Sequence, residues 1–556
     1  MKIVNYVGMT LAGLILSACS SAPLRQHSFS TQLQQAGLTA DEISLVMQPL
    51  FQGNSGFYHR ADAAMAPAST MKLLTSTVAL ATLGPDWRGS SRFLLAQTDY
   101  IALQQQELQP QPSFTLRQPL YLQAGADADF NYAELSALLS QVRALGVTTL
   151  GAGIVLDRSS FLPGRNDIGQ ADFDEAPKAR YNHRPDALYL GQSQQVLRLV
   201  SDHKNARATL FPYWPDVKLD LSELQLTQHN CEQAKLSQLT SEFVAEQQYW
   251  RLKLSGSFPQ NCQQQQSFEL IDRDAALLLS LAQEWQRLGG QIHTETAVPT
   301  ELHKAAHRSA HCCHLPIQHK SSAAVLLPSV PNTNWLQTAV TPPDAVPVAT
   351  HLSRPLGELV LRVNKSSDNA LTRLLYLTLG AEHAASLRTT NVLANQHQLS
   401  PDGSGLIPGK APELTPTAQM AEQKIRHWLT QQGINQQQLV LENGSGLSRS
   451  ERISALFLTQ LLSHVWQADY GPELIASLPL AGIDGTLKNR FRQGAAYKKA
   501  RLKTGTLKDV TALAGYVYDG RHRPWIFVAV VNSPKAATAG KTLLNQLVEQ
   551  LAQYQQ

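Results

Sequence analysis

The sequence predicts an α+β protein whose main sheet is antiparallel and flanked by helices. Three observations carry this. Leu502-Lys503-Thr504-Gly505 and the apolar runs at 513–517 and 525–531 follow one another as successive antiparallel strands. Helical patterns stand at both ends, after Ser69 and over residues 541–554. The stretch between them is rich in short strands, and a chain of 556 residues is too long for one core.

Taken in order, residues 1–18 are expected to be a signal segment outside the fold. Lys2 precedes an apolar stretch over residues 7–16, too short to span a membrane. Leu16-Ser17-Ala18-Cys19 is similar to a bacterial lipobox, which implies cleavage before Cys19 and lipid on its thiol. Ser20, where Asp would favour the inner membrane, points to a periplasm-facing protein anchored in the outer membrane of a Gram-negative cell.

Residues 43–47 and 56–58 read as short strands. Ala66-Pro67-Ala68 leads into Ser69, and residues 72–83 continue as a helix stopped by Gly84-Pro85. That helix is apolar nearly all round and belongs in an interior. From 88 to 161 the pattern changes to strands at 93–96, 120–122 and 153–157, with an amphipathic helix over 134–145. A second β-rich stretch, 187–256, contains candidate strands at 188–190, 196–200 and 249–254. Residues 274–288 form a helix ended by Gly289-Gly290. Gln104-Gln105-Gln106 and Gln263-Gln264-Gln265-Gln266 are expected in solvated turns, and residues 303–348 in an irregular surface excursion. Residues 356–364 form a helix that leads to Ser367.

Composition excludes some functions. The hydrophobic fraction of 43% is ordinary, the net charge of +4 is small, and no Lys/Arg block suggests nucleic acid. Besides Cys19 there are four cysteines. Export implies an oxidising compartment, in which Cys231 and Cys262, flanking a strand-rich stretch, can close a loop. Cys312 and Cys313 lie among His303, His307, His311, His314 and His319, spacings that suit zinc. With no hydrophobic frame or supporting carboxylate nearby, a polar surface loop is the expectation, without metal or cofactor.

The chemistry lies in three strings in fixed order: Ser69-Thr70-Met71-Lys72, Ser367-Asp368-Asn369 and Lys503-Thr504-Gly505-Thr506. Together they are the mark of penicillin-binding proteins and class A β-lactamases. A serine hydroxyl needs a nearby base, and three residues along a helix put Ser69 and Lys72 on one face. Lys72 serves as base only when neutral, so burial and nearby cations should depress its pKa. Ser367 would relay a proton to the leaving amine, and Asn369 would hold the substrate backbone and Lys72. Lys503, with Thr504 and Gly505, would meet a terminal carboxylate. The main-chain N–H groups of Ser69 and Thr506 would form an oxyanion hole. Ser201-Asp202-His203-Lys204 also fits S-x-x-K, but a strand enters a turn there and no buried helix follows.

The wider sequence resembles the penicillin-binding protein 4 type of D-alanyl-D-alanine carboxypeptidase/endopeptidase. Beyond the three strings, the resemblance rests on Asn364-Lys365-Ser366-Ser367-Asp368-Asn369, on Asn443-Gly444-Ser445-Gly446-Leu447-Ser448-Arg449, where the family usually has Asp for Asn443, and on residues 478–487. Ser69 and Ser367 are 298 residues apart, far more than in a β-lactamase. The resemblance implies a β-lactamase/transpeptidase-like catalytic domain (24–87 and 351–556), a first inserted domain (88–186 and 257–350) and a second, nested one (187–256). It implies a penicillin-sensitive enzyme acting on peptidoglycan stem peptides and cross-links. It also implies that Asp157 and Arg449 hold the diaminopimelate side chain, with Lys508 in place of the family's Gln. The competing readings are a β-lactamase and a wall lipoprotein that acylates without turnover.

Overall fold

The computed structural model describes residues 26–51, 56–106, 113–168, 180–246, 249–292, 335–396 and 415–555. Cys19, Cys312, Cys313 and the five histidines around them lie outside the described residues.

The main sheet has five strands in the order Ala500–Leu507, Val510–Tyr518, Pro524–Asn532, Ile43–Pro49 and Phe57–His59. Every pairing in it is antiparallel. The strand period of two sends alternate side chains to opposite faces. Ile43, Leu45 and Met47 pack with Phe29 and Leu33 of the Gln26–Ala36 helix and Leu543, Leu547 and Leu551 of the Lys541–Gln553 helix. Val46, Ala514, Tyr516 and Val528 face the other way, onto the helices Lys72–Leu83, Leu356–Ser366 and Ala455–Gln467. Covered on both faces, Val510–Tyr518 and Pro524–Asn532 are buried nearly throughout, which is why they read as continuous apolar runs.

The β-rich middle is nested. A mixed five-stranded sheet runs Leu336–Thr338, Ile154–Asp157, Leu120–Gly125, Ser90–Leu95 and Val346–Leu352, so it uses chain from both sides of the inner region. A three-stranded sheet (Gln291–Ile292, Val147–Leu150, Phe114–Leu116) and the helices Tyr132–Ala144 and Arg273–Arg287 accompany it. Inside it lie two further three-stranded sheets, one of Val217–Thr227, Trp250–Pro259 and Thr240–Ala245, the other of Gln263–Phe268, Gln195–Ser201 and Ala206–Phe211. Leu197, Leu199, Leu252, Leu254, Phe258 and Phe268 share a small core, and a Cys231–Cys262 disulfide closes beside it.

Several local expectations are corrected. Gln104-Gln105-Gln106 ends the Gln97–Gln106 helix, and Gln263–Phe268 is a strand, because glutamine is a fair helix former and suits the exposed side of an edge strand. Residues 188–190 are not a strand. The chain there turns into the 3₁₀ segment Leu190–Ser193, and its apolar side chains reach the core through irregular backbone. Leu336–Thr338 and Val346–Leu352 are strands where the surface excursion was expected. The long Asn369–Gln396 helix that follows Ser367 carries no signal that singled it out.

Candidate active site

Ser69 lies in the 3₁₀ turn Ala68–Met71, which runs directly into the Lys72–Leu83 helix. Side chains three apart nearly eclipse in a 3₁₀ turn, and Lys72 Nζ donates to Ser69 Oγ at 3.0 Å. Ala68, just before the serine, holds φ 46°. Left-handed backbone of this kind costs a residue with a Cβ on the order of 1–2 kcal/mol, so the surroundings must fix it. Two of those surroundings are close backbone approaches. A Cβ on Gly446 would sit 1.7 Å from Ala68 O, and one on Gly505 would sit 2.6 Å from Pro67 O. Glycine at both positions lets the 442–446 loop and the edge strand Ala500–Leu507 close on the turn.

Lys72 is fully buried. Its ammonium position is fixed by Ser69, by Asn369 Oδ1 at 2.6 Å and by the carbonyl oxygen of Ser445. Burial, and then the charges of Lys503 and Arg373, push its pKa well below that of an ordinary lysine; Glu451 and Asp368 act against them. Lys503, on the edge strand, is equally buried, and burial pushes it down to about 7. It donates to Ser367 Oγ and to Thr504 O, each at 2.9 Å.

Ser367 caps the C-terminus of Leu356–Ser366 at φ 58°, ψ 43°. This second left-handed residue turns the chain so that Asn369 opens the next helix facing Lys72. Asn369 Nδ2 donates to the carbonyl of Tyr181 at 3.2 Å. One turn on, Arg373 donates to the carbonyls of Asn182 and His183, each at 2.9 Å. The inserted region thus touches the helix that carries Asn369.

The structure therefore gathers these residues in two hydrogen-bonded groups, Ser69–Lys72–Asn369 and Ser367–Lys503, with the Lys503 charge acting on Lys72. Thr504 lies on the same strand, its hydroxyl 2.8 Å from that of Thr486, and Thr506 is exposed further along. Lys508 is exposed in the turn between Ala500–Leu507 and Val510–Tyr518. Arg449 is exposed on the loop that follows Ser445. Asp157 ends the Ile154–Asp157 strand and is 2% exposed. Its carboxylate accepts from the N–H groups of Ser159 at 2.9 Å and Thr341 at 2.8 Å. Burial is the largest single influence and raises its pKa, but the bonds from Ser159 and Thr341 together outweigh it and hold the pKa below the ordinary value. The second S-x-x-K string is divided. Ser201 Oγ is buried and donates to Pro259 O at 2.6 Å, while Lys204 is exposed.

Sequence reasoning missed the Ser445 carbonyl, Tyr181, Arg373 and Glu451. Ser445 lies in a stretch singled out for Arg449, but a carbonyl acceptor has no residue-type signature. Among the described residues no group of His, Cys, Asp and Glu could hold a metal ion. No helix there is long and apolar enough to cross a membrane.

The profile of the D-Ala-D-Ala carboxypeptidase 3 (S13) family matches residues 25–315 and 408–554. The chain belongs to this family. It is 29% identical over 216 residues to a D-alanyl-D-alanine carboxypeptidase of Actinomadura, covering 38% of this chain and 34% of that one. It is 26% identical over 210 residues to the D-alanyl-D-alanine carboxypeptidase DacB of Haemophilus influenzae, covering 37% and 36%. The chain thus spans about a third of the length of these curated relatives. In three dimensions it is similar to penicillin binding protein 4 (dacB) from Haemophilus influenzae, with a TM-score of 0.66, 19% identity, and coverage of 94% of this chain and 98% of that one. A second structure of that protein is complexed with a β-lactam and matches with a TM-score of 0.61 at 18% identity. These structures share the fold of this chain.

Proposed function

We propose that this chain is a serine D-alanyl-D-alanine carboxypeptidase that forms a penicillin-sensitive acyl-enzyme on Ser69, with D,D-endopeptidase activity on peptidoglycan cross-links. The observation that carries the reading is the 3.0 Å bond between Ser69 Oγ and a buried Lys72 whose charged form is disfavoured. Neutral Lys72 takes the Ser69 proton as Oγ attacks the D-alanyl carbonyl. The N–H groups of Ser69 and Thr506 face the oxyanion. Edge geometry supports the second donor. Leu502 N–H donates away from the sheet to Pro479 O at 3.0 Å, and hydrogen-bonding directions alternate along a strand, so Thr506 N–H points outward too.

Collapse of the tetrahedral intermediate breaks the C–N bond. Ser367 gives its proton to the leaving amine and is resupplied from Lys503, which lies 2.9 Å away. Water then attacks the acyl-enzyme: one of its protons passes through Ser367 to restore Lys503, and Lys72 returns its proton to Ser69 Oγ as the C–O bond breaks. A lysine titrating near 7 suits both proton exchange and pairing with the terminal carboxylate of the peptide, with Thr504 and Gly505 beside it. Asp157 would receive the ammonium of diaminopimelate, and Arg449 with Lys508 its carboxylate.

The same reading divides the chain into the catalytic domain (24–87 and 351–556), a first inserted domain (88–186 and 257–350) and a nested one (187–256). It places the mature protein in the periplasm of a Gram-negative bacterium, lipidated at Cys19 and held at the outer membrane. Intact-mass measurement of the mature chain tests the lipid. Release of D-alanine from a pentapeptide tests the activity: stoichiometric penicillin labelling without such release would mean acylation without turnover.

A further inference from the structure

Behind the acyl-transfer cluster lies a charged group that the mechanism above does not use. Glu451 is fully buried; burial raises its pKa, and the main-chain N–H groups around it act in the opposite direction, toward the carboxylate. Its Oε1 accepts from the main-chain N–H groups of Glu442, Asn443 and Gly444 at 3.2, 3.0 and 2.8 Å. Its Oε2 accepts from Gly446 N–H at 2.8 Å. Three donors thus converge on one carboxylate oxygen and a single donor reaches the other.

The carboxylate shapes a loop. Four of the five residues 442–446 are held by one side chain, and the fifth, Ser445, gives its carbonyl to Lys72 Nζ. Thr75, one turn after Lys72, donates to Gly444 O at 2.7 Å and closes the loop from the helix side. The same loop brings Gly446 against Ala68, the residue before the nucleophile.

The charge matters as well as the shape. Lys72 and Lys503 are both fully buried. The other charges acting on Lys72 are Arg373 and Asp368, from the helix that carries Asn369 and its cap. Arg373 in turn feels Arg184, Glu451 and Glu442. Asp368 is already committed to Arg362 at 3.1 Å and Arg180 at 3.5 Å. Of the two carboxylates acting on Lys72, Glu451 has the larger effect and no ion pair of its own among the described residues.

We propose that Glu451 is a positioning residue for acyl transfer: it folds the 442–446 loop so that the Ser445 carbonyl meets Lys72, and its buried charge balances the two lysines. This rests on the reading of Lys72 as the base.

The test is penicillin acylation of the full chain, followed over pH in wild type, Glu451→Gln and Glu451→Asp. Glutamine cannot accept from all four donors, because its NH₂ must face one of them. Acylation should fall by about 10- to 100-fold, the scale of a small displacement of a reacting group. A negative charge near Lys72 favours its protonated form. Removing it should therefore move the acid limb of the rate profile to lower pH, a change that a purely structural role would not produce. Glu451→Asp keeps the charge on a shorter arm and should be slow with the acid limb in place. A folded Glu451→Gln protein with the wild-type acid limb, or either variant acylating at the wild-type rate, overturns the proposal. If wild type itself is not acylated, the functional reading fails instead, so the two failures are distinct.

Discussion

Lys503 Nζ donates to Ser367 Oγ at 2.9 Å, so a buried lysine of the edge strand meets the left-handed serine that ends the Leu356–Ser366 helix. This contact joins the second and third sequence strings, as the Lys72–Asn369 contact joins the first and second. Each lysine is held by groups remote in sequence, and each is costly to bury.

That cost has a sign. An unfolded lysine titrates near 10.5 and folded Lys503 near 7. Between those values the unfolded chain holds a proton that the folded chain lacks, so stability rises with pH across the window. Below about 7 both states are protonated and the penalty is complete. Lys72 is shifted in the same direction. Lys503→Met should therefore raise the melting temperature at pH 6, and its advantage should shrink towards pH 10. A tenfold change in proton affinity is worth about 1.4 kcal/mol, so the gain should be on the order of a few kcal/mol. Thermal melts at both pH values check this; equal gains at both would mean that Lys503 titrates normally.

Substrate choice should depend on Arg449. Its guanidinium is exposed beside the Ser445 loop and suits a two-point contact with a carboxylate. Such a charged hydrogen bond is worth roughly 1.5–3 kcal/mol. Arg449→Ala should then lower kcat/KM for diaminopimelate peptides at least about tenfold. It should leave lysine peptides and penicillin acylation unchanged, since neither carries that carboxylate. Asp157→Asn should slow both peptides, because both carry the ammonium, and leave penicillin acylation unchanged. Steady-state kinetics on the two peptides and penicillin decide it, and equal loss on all three would assign both residues to the scaffold.

The nested sheets should depend on their disulfide. Cys231 and Cys262 are 31 residues apart, and closing such a loop restricts the unfolded chain by roughly 3–4 kcal/mol. The double variant Cys231→Ala/Cys262→Ala should become sensitive to protease within residues 187–256 while penicillin acylation stays at the wild-type rate. Limited proteolysis with and without reductant reads this directly. An unchanged cleavage pattern would show that the core around Leu252 and Phe258 stands without the bond.

Much of the site was legible because its residues come as short strings of defined type. Ser69 and Lys72 are three apart, and the apolar run after them marks a buried helix. What escaped depends on long-range backbone placement. The Ser445 carbonyl and the Tyr181 carbonyl have no side-chain signature, and Glu451, between Ser450 and Arg452, reads as a surface residue until four N–H groups are seen to converge on it. The fold shows the same division. The double-sided burial of residues 510–517 and 525–531 is plain in their composition, whereas the apolar triplet 188–190 reaches the core without being a strand. Glutamine runs followed neighbouring periodicity, not their own polarity. The buried arginines and acids around Asp186 and Arg273, which tie residues 180–186 to the Arg273–Arg287 helix, come from segments too far apart to pair by eye.

The most direct test of the central claim is the site of covalent labelling by penicillin, read by mass spectrometry of the digested adduct. The account predicts one adduct, on Ser69, lost in Ser69→Ala and retained in Ser201→Ala, whose hydroxyl is buried against Pro259 O in the inner sheets. Labelling that persists in Ser69→Ala, or an adduct found on another residue, would contradict it.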